Sequence, residues 1–468
     1  MDFSSANTSL WNPMIQLGII SCMIVVANVM RRKIPFIRKT LMPTAVLAGF
    51  LVLILRLTNI LNSDTIFMEQ LTYHMLGLGF IAMSLKIPEK NNGASKGIGS
   101  KSGALIVTTY LVQAATGLIV SILVALFLIP DFFKASGILV AMAYGQGPGQ
   151  PNNVGTTYEA LGMTGGQSFG LSLAACGYLC ACIVGVVFLT LYSRKNKLER
   201  CENVTDLSGS VTIGHFQDEN EIPVAESIDK FSIQIAFVAA IYLLTYLATC
   251  GITRLLGLLS EGLASTVSTL LWGFNFIIGS AIAIAVREIF KKLRQMKIMT
   301  RQYQNNYLLS RISGAAFDIM IVAGIASINL EDISGYWVPF ILMAVAGGIV
   351  TFIYLKYMCN KIYPGYENEA FFSMYGMLTG TISSGVLLLR EIDPEFKTPA
   401  ANNLVVGSSF GILFGAPVLL LVSMAAKSDF MTYVTFVIVL IYLAVLLVFI
   451  FKTGSRTECK RRLKKHKK

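Results

Sequence analysis

Apolar residues come in long runs separated by short polar gaps. Runs of spanning length lie at about 11–30, 41–59, 69–85, 103–129 and 166–192, and resume at about 231–257, 262–286, 308–328, 336–358, 401–426 and 430–451. A helix needs roughly 20 apolar residues to cross the hydrocarbon layer, so eleven transmembrane spans are expected. Two further runs, about 135–150 and 370–389, are interrupted by glycine and polar residues. They predict re-entrant hairpins, extending to about residues 160 and 400, that enter and leave on one side. The fold class expected is an all-α polytopic membrane protein.

The first interruption is Gly145-Gln146-Gly147-Pro148-Gly149-Gln150-Pro151-Asn152-Asn153. Glycine is costly in a helix, and proline lacks the N–H and clashes with the preceding turn. Freed backbone groups at membrane depth are tolerated only where they are buried in protein or line a watery cavity. An amide-rich break among membrane helices is therefore a candidate binding site, although a flexible external loop has the same glycine and proline content.

Loop charge gives a test of this topology. Arg31, Arg32, Lys33, Arg38 and Lys39 put the first loop in the cytoplasm and the N-terminus outside. With both hairpins re-entrant, the basic groups Lys86–Lys101, Arg194–Arg200, Lys291–Arg301, Lys356 with Lys361, and the tail Lys460–Lys468 all fall inside. Asp64, Asp131, Glu331 and Asp332 fall outside. Turning either hairpin into a full span puts several basic clusters on the wrong side. The expectation is eleven spans and two hairpins in the cytoplasmic membrane, N-terminus out and C-terminus in. The polar stretch 193–230 reads as a cytoplasmic linker with little fixed structure. Residues 427–468 add a last span and a basic tail.

Composition agrees with this reading. Of 468 residues, 54% are hydrophobic and 14% charged, with a mean hydropathy of +0.65. The net charge of +12 invites a nucleic-acid partner, but the basic residues sit in short loops, as the positive-inside pattern requires, and no nucleic acid is expected. Cys176, Cys180 and Cys182 match no zinc spacing and read as helix packing.

The two halves repeat. Residues 1–192 carry five spans and one hairpin, and residues 231–426 carry the same set. Ala143-Tyr144-Gly145 recurs as Met374-Tyr375-Gly376, and Gly166-Gln167-Ser168-Phe169-Gly170 as Gly407-Ser408-Ser409-Phe410-Gly411. Five is odd, so the halves enter the membrane in opposite senses, which makes the repeat inverted. Paired glycine- or proline-interrupted segments in matching positions point to the midplane site of a secondary transporter.

The candidate substrate residues are Gly145, Gln146, Gly147, Gly149, Gln150, Asn152 and Asn153 in the first hairpin. In the second, Thr379, Gly380, Thr381, Ser383, Ser384 and Gly385 offer hydroxyls and exposed backbone, hard neutral ligands for an alkali cation or a carboxylate. Small residues also serve close helix packing. Arg390 is the sole cation in its apolar stretch and matches a carboxylate bidentately; its neighbour Glu391 allows an interfacial ion pair instead. Asp318 lies mid-run, and an intramembrane acid is a functional candidate, for holding a cation, carrying a proton or bonding structurally. Thr379, Ser383 and Asp318 form the candidate cation set. His74 is placed near a span end, at the interface. Gly166-x-Ser168-x-Gly170 and Gly407-x-Ser409-x-Gly411 match a nucleophile elbow in spacing alone, without the strand, histidine and acid that chemistry needs. Gly97–Ser102 lacks the glycine before lysine of a phosphate loop. No enzyme activity and no bound organic cofactor are expected.

At Tyr144–Asn153, at Tyr375-Gly376-Met377-Leu378-Thr379-Gly380-Thr381 with Arg390-Glu391, and at Pro43-Thr44-Ala45-Val46-Leu47-Ala48-Gly49, the chain resembles the bacterial sodium:glutamate symporter family. The resemblance runs through about residue 426. It implies Na+-driven uptake of glutamate, two inverted five-span repeats, and an elevator-like mechanism in a homodimer. The glycine-rich re-entrant segments of that family map onto Gly145–Asn153 and Gly376–Gly385. The better-known members carry a Gly-Gly-His-Gly-type sequence where this chain has Gly145-Gln146-Gly147-Pro148-Gly149, so another amino acid or a dicarboxylate, coupled to Na+ or protons, is the alternative substrate. A channel is the alternative from another class.

Overall fold

The structure is a computed structural model describing residues 3–39, 41–87, 96–196, 229–259, 268, 271–273, 275–299, 301–393 and 398–465. Side chains at 38–39, 96, 193–196, 259, Ser383, Val405, Ser409 and 453–465 are outside the description, as is most of the expected linker. Among the described residues the chain is helical, with no strand. In order the helices are α1 (Thr8–Lys33), α2 (Thr44–Leu57), α3 (Thr65–Leu85), α4 (Lys96–Phe127), α5 (Leu139–Gln146), α6 (Gly149–Glu159), α7 (Gly166–Cys180) and α8 (Val186–Asn196). Then come α9 (Lys230–Leu259), α10 (Asn275–Gln295), α11 (Asn306–Ala326), α12 (Trp337–Ile362), α13 (Glu367–Thr379), α14 (Ile382–Arg390), α15 (Ala400–Ala425) and α16 (Asp429–Lys465).

Seven of these segments are long and apolar enough to cross a membrane: Thr8–Lys33, Gly97–Phe127, Gly166–Tyr192, Lys230–Leu258, Asn306–Ala326, Trp337–Ile362 and Asp429–Lys452. Helix α15, bent by 45°, makes an eighth if its two parts count as one span. The expected span 41–59 forms only the 14-residue α2. Pro43 stands just before it, and Asn59, at φ 56°, turns the chain away after it. The run 69–85 lies in α3, and 262–286 falls partly outside the described residues and partly in α10. One segment joins α7 to α8 without a break in direction of chain: Ala181–Gly185 forms a π turn.

The chain divides into two compact units, each drawn from both halves of the sequence. One holds Met1–Ser63, Asn91–Cys201 and Gly324–Lys468; the other holds Asp64–Lys90 and Glu202–Ala323. In the first unit, α5 and α13 are enclosed almost completely, with Leu139–Gly145 and Ala370–Thr379 all buried. Rings of Phe352, Phe371 and Tyr375 pack edge-on and stacked at 5.3–5.6 Å around α13. In lipid such a core gains little from the hydrophobic effect, because the alternative neighbour is also apolar. Close packing and interhelical hydrogen bonds hold it instead. Arg56 on α2 supplies one such bond set, donating to the carbonyls of Ala326 and Ile328 at the end of α11 and so satisfying backbone groups no helix bond reaches.

The second unit packs α3, α9, α10 and most of α11 around Ile81, Leu85, Val238, Ile241, Ala283 and Leu309. His74 sits mid-helix on α3 rather than at its end, with Nδ1 2.7 Å from the Tyr242 hydroxyl. Nearby, Asn275 Nδ2 donates to Tyr73 (2.6 Å), whose hydroxyl donates to the Trp272 carbonyl (2.7 Å).

Candidate functional site

Both interrupted segments lie in the first unit. Helix α5 stops because Gly147 takes φ 72°, ψ −173°, a conformation open essentially to glycine alone. Pro148 follows, and α6 restarts at Gly149 without a side-chain cap. The rings of Phe133 and Tyr158 lie 5.4 Å apart, so the two ends of this segment come back side by side. Helix α13 stops at Gly380, and α14 restarts after extended Thr381 (φ −142°, ψ 172°), again uncapped. Here the arms touch backbone to backbone. A Cβ on Gly376 would meet Gly385 at 2.8 Å, and one on Gly385 would collide with the Ser373 carbonyl.

The two breaks meet. A Cβ placed on Gly147 would lie 3.4 Å from Thr381 Cγ2 and 4.0 Å from the Gly380 carbonyl oxygen, with the Tyr178 hydroxyl also at 3.4 Å. Two helix N-termini without a side-chain cap among the described residues therefore converge, each with first-turn N–H groups that no intrahelical bond uses and the positive end of its dipole. Helix α4 supports both breaks from one face. The Tyr110 hydroxyl donates to the Gly145 carbonyl at 3.1 Å, in the last turn of α5. One turn on, Gln113 Nε2 donates to the Leu378 carbonyl at 2.9 Å, in the last turn of α13, and to Thr351 Oγ1 at 3.0 Å.

Buried polar atoms nearly always find partners, yet Gln150 Oε1, Thr381 Oγ1, Ser384 Oγ and Gln113 Oε1 have none among the described residues. All four are neutral oxygens, with Ser384 Oγ beside Gly380, Gln113 Oε1 beside Gly145, and Gln150 in the first turn of α6. The other expected amides are engaged. Asn152 Oδ1 accepts from Gln167 Nε2 at 2.8 Å, and Asn152 Nδ2 donates to Asn153 Oδ1 at 3.3 Å. The Thr379 hydroxyl donates to the Tyr375 carbonyl one turn back, at 2.7 Å. Gln146 Nε2 faces Met142 Sδ at 3.7 Å. Glycines 145, 149, 380 and 385 are buried at the breaks; Gly145 makes room for the Tyr110 ring, and Gly385 lets the backbones of α13 and α14 approach.

One expected residue lies away from the meeting point. Arg390 ends α14, roughly 13 Å from Thr381 at the helical rise, where its charge opposes that of half-buried Arg31. Asp318 belongs to the second unit, on an exposed face of α11. Ser383 lies on α14 with its side chain outside the description. Tyr110, Gln113 and Tyr178 were missing from the sequence reading. Lone polar residues inside apolar runs were the only signal for them.

At the other end of α6, Glu159 Oε1 accepts from the Gln167 N–H at 3.0 Å and so caps the start of α7, while Asp332 Oδ2 accepts from the Ser168 hydroxyl at 3.0 Å. Partial burial pushes the Glu159 carboxyl above its ordinary range; the Gln167 N–H opposes this and repulsion from Asp332 adds to it. Among the described residues no three His, Cys, Asp or Glu converge as a metal site.

Together these features define an all-helical membrane protein with two helix breaks meeting inside one unit. No protein-family model matches the chain, and no curated protein matches it significantly.

Proposed function

We propose that the chain is a secondary active transporter, embedded in the cytoplasmic membrane, that couples Na+ entry to uptake of glutamate or a similar small carboxylate. The observation that carries this is the meeting of Gly147 with Thr381 and Gly380. Broken membrane helices that present N-termini to an anion and neutral oxygens to a cation are the working parts of such transporters. In this reading the segments around α5–α6 and α13–α14 are re-entrant hairpins in an inverted repeat, and α6 and α14 direct their N-termini at the substrate carboxylate. Thr381, Ser384 and Gln150 oxygens share substrate and Na+. Arg390, at the far end of α14, serves the mouth of the path rather than its centre. The assembly of each compact unit from both halves of the chain suits a repeat whose halves interlock. A homodimer working as an elevator, N-terminus out and C-terminus in, completes the proposal.

The test is uptake of labelled L-glutamate into proteoliposomes under an inward Na+ gradient, with voltage clamped by potassium and valinomycin. Accumulation above equilibrium that collapses when choline replaces Na+ is the expected result. Folded protein that accumulates nothing rejects the glutamate/Na+ reading, and the same vesicles then serve to screen other carboxylates and a proton gradient.

A further inference from the structure

Gln113 is fully buried in α4 and its amide is oriented by chemistry alone. A backbone carbonyl only accepts, so the group 2.9 Å from the Leu378 oxygen must be the NH2, and the amide oxygen must turn the other way. That oxygen lies 3.3 Å from where a Cβ on Gly145 would sit, which places it between the ends of α5 and α13. The nearest hydroxyl donor on the same helix face, Tyr110, is already directed at the Gly145 carbonyl. Among the described residues nothing donates to Gln113 Oε1. Leaving a buried acceptor unmet costs its desolvation, and the neighbouring helix N-termini offer their N–H groups to an acceptor rather than supplying a held donor to this oxygen.

We propose that Gln113 is a specificity-determining residue of the site: its Oε1 accepts a hydrogen bond from a positively charged N–H group of the substrate, while its NH2 holds α13 in place. This rests on the transporter reading above, in which the helix N-termini take the carboxylate. The substrate is then recognised at both ends of an amino acid, the carboxylate by backbone N–H groups and the ammonium by an amide oxygen. A site built around such a bond rejects the analogue lacking the donor strongly, because the buried acceptor is left unpaired.

The experiment is equilibrium binding of L-glutamate and of glutarate, the same dicarboxylate without the amine, to purified full-length protein in nanodiscs with saturating Na+. Wild type is expected to prefer glutamate. Gln113→Met should weaken glutamate by about tenfold or more while changing glutarate less than about twofold, which carries the preference toward one. Thr351→Val removes a neighbour of the Gln113 nitrogen only and should leave the preference intact. If the methionine variant does not fold, Gln113→Asn withdraws the oxygen by one methylene and is expected to lower the same ratio. Equal loss of both ligands, or loss of neither, overturns the proposal and leaves Gln113 as a structural brace. Equal loss with a raised Na+ half-saturation also overturns it, assigning the oxygen to the cation. Wild type that binds neither compound instead overturns the glutamate reading itself, and this shows before any variant is made.

Discussion

In the segment around Gly147 the Asn152 and Asn153 amides are bound to the protein itself and the Gln150 oxygen is not, whereas in the segment around Gly380 the Thr381 and Ser384 hydroxyls have no partner among the described residues. Asn152, Asn153 and Gln167 bond to one another, and Glu159 ties α6 to the start of α7. On the second side Thr381 Oγ1 and Ser384 Oγ are buried with no partner among the described residues, and the arms are held by glycine contact. The comparison separates two ways of stabilising a broken helix inside a membrane. A hydrogen-bonded network fixes the Asn152 and Asn153 amides of the first segment and leaves the Gln150 oxygen open. Dry backbone contact fixes the second and leaves its polar atoms available.

If that contrast is correct, backbone contact is the most sensitive point. Gly385→Ala drives a Cβ into the Ser373 carbonyl and should cost about 3 kcal/mol or more, read as loss of folded protein in denaturant titration. Gly147→Ala meets no atom closer than 3.4 Å and suffers only its φ, about 2 kcal/mol. Equal losses would mean the second segment is not held by contact.

The network offers the next test. Gln167→Leu leaves Asn152 Oδ1 unmatched and should destabilise by about 2 kcal/mol. Ser384→Ala breaks no bond, so its stability should stay within about 0.5 kcal/mol while Na+-driven uptake falls. A Ser384→Ala protein as unstable as Gln167→Leu would erase the distinction between the two segments.

The smallest effect concerns pH. A carboxyl raised in the folded state favours folding while protonated, and that contribution fades as pH rises through its folded value. Glu159 therefore works against the fold above its ordinary pKa of 4.5. Glu159→Gln should raise the melting temperature slightly at pH 7 and not at pH 4. An equal shift at both would assign the effect to something other than charge.

Much of the architecture was legible because membrane helices write long apolar runs, and both breaks were legible because Gly147, Pro148 and Gly380 cannot be ordinary helix. The partners were not. Tyr110 and Gln113 are single polar residues in α4 that touch α5 and α13, 35 and 265 residues along the chain, and no local pattern encodes such a separation. Arg390 looked central because it is the lone cation near Gly385, yet nine residues of helix carry it away from the break. The short α2 was hidden because hydropathy cannot see a turn made by Asn59.

The π turn at Ala181–Gly185 has a consequence for how this protein tolerates change in length. It takes up one residue more than an α-helical turn, and it lies between Gly177, which faces Tyr144 and Thr379, and Gly185, which faces Tyr375 and Leu388. Deleting a single codon there would rewind the turn to plain α-helix and leave the helix on either side presenting the faces it already presents. Single-residue deletions within α7 or α8 would rotate everything beyond them by about 100°, so such deletions should be better tolerated at this turn than in the helices that flank it.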